Sequence, residues 1–254
     1  MKKNPRILLS NDDGIHAHGF SVLERIARSL SDDVWVCAPS AEQSAASHSL
    51  TIHRPVRLGR VDEKRYTVDG TPTDCVLLAV NHIMADQPPD LVLSGVNHGR
   101  NIAEDVTYSG TIAAAMEATL LGIPAIAFSQ SLPQGSDADW SVAEKWGPQI
   151  AARLLDAGWP QGVLMNVNFP AVLADEVAGV AVVPHGVRKI GDVLDERTDP
   201  RGRSYFWIGS SRSDQEAPDD TDIKALSRGQ ITVTPLHLDL THHATLATLK
   251  GALG

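Results

Sequence analysis

Arg6-Ile7-Leu8-Leu9-Ser10-Asn11-Asp12-Asp13-Gly14 decides the fold. A short aliphatic run that breaks off into two adjacent carboxylates and a glycine reads as a buried strand whose carboxyl end opens into a loop. The same residues also make an ordinary turn, because Asn and Asp side chains bond the backbone just ahead of them. The rest of the chain separates the two readings. Phe20, Leu23, Ala27 and Leu30 recur at helical spacing, with Val22 and Ile26 widening the stripe, which predicts a helix packed on a sheet. Asp33 to Ala38 predicts a second strand, closed by Pro39. Strand, helix, strand implies parallel pairing through a right-handed crossover.

Between Pro39 and Ser49 lies a loop of small polar residues that would let the backbone approach a ligand. Thr51 to Val61 and Arg65 to Val68 alternate apolar with polar side chains and predict an inserted β-hairpin. In Gly70-Thr71-Pro72-Thr73-Asp74, Thr71 is the N-cap, Pro72 the first helical residue and Asp74 the third, starting a helix that runs to Met84. Asp90 to Ser94 is a buried strand that stops at the loop Gly95-Val96-Asn97-His98-Gly99-Arg100-Asn101. Tyr108-Ser109-Gly110-Thr111 leads into an alanine-rich helix, Ile112 to Leu121, which Gly122 caps before the strand Ala125 to Phe128. A linker, Ser129 to Asp137, precedes a helix through Leu155 and a strand, Val163 to Val167.

Strands alternating with helices in this way predict an α/β fold for residues 1–170: a doubly wound, mostly parallel, Rossmann-like sheet. After Pro170 the pattern changes. Val177 to Val183, Tyr205 to Ile208 and Ile231 to Pro235 read as β segments, and the acidic run Asp214 to Asp222 as a solvated loop. Residues 171–254 are therefore expected to form a β-rich C-terminal extension, either separate from the first domain or continuous with it; pattern alone leaves open whether it is a domain or an arm reaching a partner subunit.

Composition sets limits on function. The 254 residues are 43% hydrophobic, ample for a core. No cationic, apolar leader opens the chain, and no apolar run approaches roughly 18 residues, so neither export nor membrane insertion is expected. Cys37 and Cys75 sit in apolar surroundings without zinc-ligand spacing, which fits a reducing cytoplasm. A formal net charge of −9 argues against nucleic-acid polymers and anionic membranes as partners. An acidic protein that binds phosphate needs local positive potential from a metal ion, a helix amino end or a few arginines.

Ligands of open α/β sheets bind beyond the carboxyl ends of the strands. There the pattern places Asp12 and Asp13 after the first strand, Ser44 after the second, and Asn97 and Asn101 after the strand ending at Ser94. Ser109, Gly110 and Thr111 fall at a helix amino end. Singly, each has a plainer reading as a turn residue or N-cap. Jointly, two carboxylates, a hydroxyl and an amide oxygen form a set of hard donors suited to magnesium or manganese. Other phosphate motifs are absent. Gly14 to Ser21 has P-loop glycine spacing with Phe20 in place of the lysine, no dinucleotide fingerprint follows the first strand, and no second carboxylate stands two places after Asp12 or Asp13.

Ser10 to Gly14, Gln43-Ser44, Gly70 to Asp74, Ser94 to Asn101 and Tyr108 to Thr111, in that order, resemble the SurE stationary-phase survival proteins, a family of metal-dependent nucleoside-monophosphate phosphatases. Asp199 to Gly202, Tyr205 to Gly209, Thr234 to Leu236 and Asp239 to Thr241 resemble that family's later segments. The likeness is weakest across Leu132 to Gly162 and Ala171 to Glu196. It implies one divalent ion, Mg2+ or Mn2+, per subunit on Asp12, Asp13, Ser44 and Asn97, with Asn101, Ser109, Gly110 and Thr111 beside the phosphate. It also implies hydrolysis of nucleoside 5′- and 3′-monophosphates, and a homodimer or homotetramer exchanging its carboxyl-terminal segment, which gives residues 171–254 a role in oligomerisation.

Two positions depart from the family pattern: His18 stands where a proline is usual, and Gln43-Ser44-Ala45 where an Arg-Ser-Gly form is common. For the reaction, Asp12 and Asp13 are the catalytic candidates, orienting a water or attacking phosphorus directly. His16, and after it His18, are candidate general acids. A non-catalytic nucleotide sensor, and a phosphatase acting on polyphosphate or other phosphomonoesters, are the alternatives.

Overall fold

The computed structural model describes residues 4–133, 138–187, 194–208 and 217–253. Along the chain, β1 (Ile7–Ser10) is followed by α1 (His18–Leu30), β2 (Val34–Pro39), the hairpin β3 (Leu58–Arg60) and β4 (Arg65–Val68), and α2 (Pro72–Leu78). Next come β5 (Leu91–His98), α3 (Asp105–Tyr108), α4 (Gly110–Leu120), β6 (Ala125–Gln130), α5 (Ser141–Ala157) and β7 (Val163–Phe169). The remainder holds β8 (Val180–Val182), β9 (Leu194–Thr198), β10 (Ser204–Ile208), α6 (Asp222–Ser227), β11 (Ile231–His237) and α7 (His243–Leu253).

One nine-stranded sheet runs in the order β3-β4-β2-β1-β5-β6-β7-β11-β8. From β4 to β7 every neighbouring pair is parallel, as the βαβ reading requires. The chain first winds outward from β1 through β2, then returns to β1's other side as β5. The strand order therefore reverses between β1 and β5, which opens a crevice at their carboxyl ends.

Alternation along β1 explains the two layers of core. Ile7 and Leu9 face Phe20, Leu23 and Ile26 of α1 together with Val142, Ile150 and Ala151 of α5. Leu8 faces the opposite way, toward Cys75 and Val76 of α2 and Ile112, Ala115 and Ala118 of α4. Phe128 and Phe169 stack with centroids 5.8 Å apart in the first layer. Helices thus cover both faces, and the fold is the doubly wound α/β sheet expected. No helix among the described residues is long and apolar enough to cross a membrane. Cys37 and Cys75 are both buried and free.

The differences from the sequence reading have local causes. Only Leu58–Arg60 of the expected strand Thr51 to Val61 pairs as β3. Side chains capture two of the backbone donors in the rest: Thr51 N–H donates to Asp74 Oδ1 (3.0 Å) and Arg57 N–H to Asp69 Oδ1 (2.7 Å). The Thr71/Asp74 capping box forms as expected, yet the helix loosens after Leu78 into one π turn, Ala79–Ile83. Part of the expected linker Ser129 to Asp137 lies outside the described residues, and its first two residues extend β6.

Asp222 corrects the reading of Asp214 to Asp222 as a solvated loop. Residues 214–216 lie outside the described residues, and Asp219 and Asp220 are exposed, but Asp222 is fully buried. It accepts hydrogen bonds from Ala103 N–H (2.9 Å) and Gly186 N–H (2.7 Å), so this carboxylate fastens the C-terminal part of the chain to the loop after β5.

The carboxyl-terminal third divides in two. β11 pairs antiparallel with β7 from Thr232 opposite Asn168 to His237 opposite Val163, and β8 adds parallel to β11, so both continue the main sheet past residue 170. The hairpin β9–β10 forms a separate two-stranded sheet, and α7 buries none of its residues.

Candidate functional site

The site grows from the crevice between β1 and β5. After β1 the chain turns at once: Asn11 Nδ2 donates to Gly14 O (2.9 Å) and Ile15 N–H to Pro39 O (3.0 Å), pinning the loop against the end of β2. The turn reading of these residues is therefore correct and compatible with a site, since it is the turn that aims Asp12. The loop after β2 is tied to the same point, because Gln43 N–H donates to the carbonyl oxygen of Asp12 (2.8 Å).

β5 delivers Asn97 through an irregularity. Its register against β6 shifts between Ser94 and Asn97, and Gly95 has φ +117 with Phe128 O only 2.2 Å from where a Cβ would stand, so only glycine fits there. Asn97 Nδ2 donates to Gly99 O (2.8 Å), which orients the amide and turns its Oδ1 into the crevice.

From the other side comes the amino end of α4. Ser109 is its N-cap, accepting from Ile112 N–H (3.1 Å). Thr111 Oγ1 donates to Asp12 Oδ1 and lies 3.1 Å from Asn97 Oδ1. Gly110 permits the approach: a Cβ there would stand 2.7 Å from Asp12 Cβ and 2.9 Å from Asp12 Oδ2. Three oxygens from three separate stretches of chain thus converge, with a single hydroxyl proton among them.

The electrostatics match this crowding. Burial pushes the Asp12 carboxyl up to about 6; hydrogen bonds from Thr111 partly offset it, and the neighbouring Asp13 adds to it. Burial also raises Asp13, with the His98 amide, which donates to Asp13 Oδ2 at 3.0 Å, working against it and Glu42 adding to it. A buried carboxylate beside a half-buried one favours a proton or a cation.

The structure thus brings Asp12, Asp13, Asn97, Gly110 and Thr111 together. Ser44 lies on the exposed loop one residue beyond the Gln43 tether, with its hydroxyl donating to Glu42 Oε1 (2.7 Å). Asn101 is buried behind the crevice: its Nδ2 donates to Ser129 Oγ (2.9 Å), its N–H to Asn168 Oδ1 (2.8 Å), and its carbonyl accepts from Asn166 Nδ2 (2.8 Å). His16 and His18 are exposed. No group of three His, Cys, Asp or Glu side chains that could hold a metal occurs among the described residues, so any ion here would rest on two carboxylates with neutral oxygens.

Sequence reasoning missed Asn166 and Asn168, whose signal was alternation with apolar residues inside a strand, and Asp222, hidden in an acidic run just before the apolar Ile223, Ala225 and Leu226.

The family model described as Survival protein SurE matches residues 7–192. The chain is 58% identical over 247 residues to the 5′-nucleotidase SurE of Paramagnetospirillum magneticum, covering 97% of this chain and 95% of the relative. It is 54% identical to the 5′-nucleotidase SurE of Caulobacter vibrioides, covering 98% and 96% of the two chains. Among solved structures, the SurE protein from Aquifex aeolicus superposes with a TM-score of 0.86 at 38% identity, over 98% of this chain and 100% of that one.

Proposed function

The chain belongs to the survival protein SurE family, and on that premise we propose that it hydrolyses nucleoside 5′- and 3′-monophosphates to nucleoside and phosphate with the help of one divalent cation per subunit. The observation that carries the proposal is the convergence of Asp12 Oδ1, Asn97 Oδ1 and Thr111 Oγ1 with one hydroxyl proton among them. Oxygens that share too few protons repel one another unless a cation fills the gap, and the set is the hard one that Mg2+ or Mn2+ prefers.

Asp12, Asp13 and Asn97 would hold the cation, with Ser44 reaching it by turning from Glu42. When bound, such an ion neutralises the carboxylates, polarises phosphoryl oxygens and acidifies a water ligand. The protein's own groups do the rest. The first turn of α4 turns the positive end of the helix dipole and the Gly110 N–H toward the phosphate, while the Thr111 N–H holds the Asp12 carboxylate. These stabilise the charge spread over the phosphoryl oxygens as the ester bond breaks. One of the two carboxylates, Asp12 or Asp13, orients or deprotonates the attacking water. His16, exposed two residues beyond Gly14, is a candidate to protonate the leaving alkoxide. Asn101 holds the loop that carries Asn97. The protein acts in the cytoplasm as a homodimer or homotetramer, built through the exposed β9–β10 hairpin and α7.

The test is release of inorganic phosphate from AMP and 3′-AMP by the purified full chain in Mg2+ or Mn2+. Loss of turnover in EDTA and in Asp12→Asn supports the proposal. Undiminished turnover in excess chelator overturns the metal role, and tight nucleotide binding without phosphate release favours a sensor.

A further inference from the structure

Beside the carboxylate pair stands an aromatic group that phosphate chemistry alone leaves without a task. Trp140 directly precedes α5 at a position where Ser, Thr, Asp or Asn would cap the helix, and it makes no side-chain cap bond. Its ring centroid lies 5.7 Å from that of His18 and 6.2 Å from that of His98, with interplanar angles of 32° and 40°. The indole lies close over the Gly19 backbone, where an added Cβ would stand 2.7 Å from it. Both histidines are exposed and Trp140 is half-buried, so the group is open to solvent.

Its position is informative. His18 is the first residue of α1 and His98 the last of β5, one from each side of the strand-order reversal. The backbone N–H of His98 donates to Asp13 Oδ2 at 3.0 Å, which places this ring's residue against the catalytic pair. A nucleoside monophosphate carries its phosphate at one end and a planar base one sugar away. With the phosphate at the α4 end, a π surface on the rim beyond Asp13 is what the base needs.

We propose that Trp140, flanked by His18 and His98, is the platform on which the substrate's nucleobase stacks, and that it makes the enzyme prefer nucleotides over phosphomonoesters lacking a base. The proposal rests on the nucleotidase reading above. Stacking is tolerant of base identity, since every base has a π face, so the platform selects nucleotides as a class.

The test compares AMP with ribose 5-phosphate, the same ester without the base, in the metal-loaded full chain. Trp140→Ala should lower kcat/KM for AMP by about 10- to 100-fold, chiefly through KM, the range expected for loss of one base–aromatic stack. Ribose 5-phosphate turnover should stay as in the parent protein. Trp140→Phe should restore most of the AMP preference. A parallel fall for both esters, or no fall for either, overturns the platform. If the parent chain hydrolyses neither ester, the nucleotidase reading fails instead, and the platform is then judged by AMP quenching of tryptophan fluorescence. Quenching lost in Trp140→Phe supports it; quenching unchanged overturns it.

Discussion

The crevice between β1 and β5 and the C-terminal arm are built on opposite principles. In the crevice, polar side chains are buried and tethered: Asp12 is 4% exposed and Thr111 fully buried, with partners drawn from residues far apart in sequence. In the arm, apolar side chains stand in the open: Trp207 is 62% exposed, Ile208 78% and Leu253 85%. Buried polar groups tethered within one chain describe a site whose geometry the loops of a single subunit fix. Contiguous exposed apolar groups describe a surface awaiting a cover. Under the proposed function, the contrast assigns catalysis to the loops around β1 and assembly to the arm, and each half of that assignment can be attacked separately.

The largest effect should follow from Asp12→Asn, which keeps shape and removes charge. Turnover should fall at least about 10³-fold, measured as phosphate release. Stability should move the other way. A carboxyl raised from 3.8 to about 6 in the folded protein binds its proton more tightly there than in the unfolded chain. Its contribution is therefore fully present below pH 3.8 and is lost as pH rises through about 6. Metal-free protein should lose up to about 3 kcal/mol between these limits from this group, with Asp13 acting in the same sense. Urea midpoints in EDTA against pH should show the fall, Asp12→Asn should flatten it, and Mn2+ should reverse it. A profile that is flat in the parent protein would break the link between burial and function at this site.

Gly110→Ala and Asp222→Ala test whether the site depends on its supports. The first puts a methyl 2.7 Å from Asp12 Cβ, and displacing that carboxylate should cost about 100-fold in kcat with destabilisation of about 1–3 kcal/mol. The second strands the Ala103 and Gly186 amides, at about 1–3 kcal/mol for each buried donor left unsatisfied. Thermal and urea unfolding read the stability change. If Gly110→Ala keeps full kcat, the close approach of α4 to Asp12 is not functional.

The arm should respond in the opposite pattern. Trp207→Ser combined with Ile208→Ser should shift the mass measured by light scattering from oligomer to monomer. Turnover should change by no more than about twofold, because sites without shared partners act independently. A dissociated protein that loses activity would join the two regions after all.

How much of this was legible beforehand follows from which physical signals are local. Ile7 to Gly14 announces a strand and its loop because burial and turn chemistry act over neighbouring residues. The parallel, doubly wound sheet was legible because strand alternation and crossover handedness leave few topologies, whereas the strand order that puts the reversal between β1 and β5 appears only in the assembled sheet. Asp222 was not, since its partners Ala103 and Gly186 are distant in sequence and nothing within an acidic run distinguishes an anchoring carboxylate from a solvated one. Asn166 and Asn168 were passed over for the same reason: a buried polar network shows only when Asn101 and Ser129 are in place. Ser44 was singled out as a ligand, but its orientation toward Glu42 depends on loop geometry that composition does not encode.

The smallest effect concerns that loop, where the two principles meet. The segment is exposed like the arm yet tethered like the crevice: Gln43 N–H holds the Asp12 carbonyl, Ser47 Oγ donates to Thr107 O (2.8 Å), and His48 Nε2 lies 2.9 Å from Glu117 Oε2. Between these anchors Ala45 has φ 59 and Ser47 φ 53, the left-handed region where a Cβ crowds the following carbonyl. At position 45 the common family form has glycine. Ala45→Gly removes that crowding but gives the unfolded chain more freedom to lose, and because the native angle is positive the first term wins, by roughly 0.5–1 kcal/mol. The variant should therefore unfold at slightly higher urea. Ser44 would also turn more freely from Glu42 toward the carboxylates, so the Mn2+ concentration for half-maximal turnover should fall with kcat little changed. A gain in stability without that shift would place Ser44 with the exposed surface, whereas a shift in both would place it with the crevice.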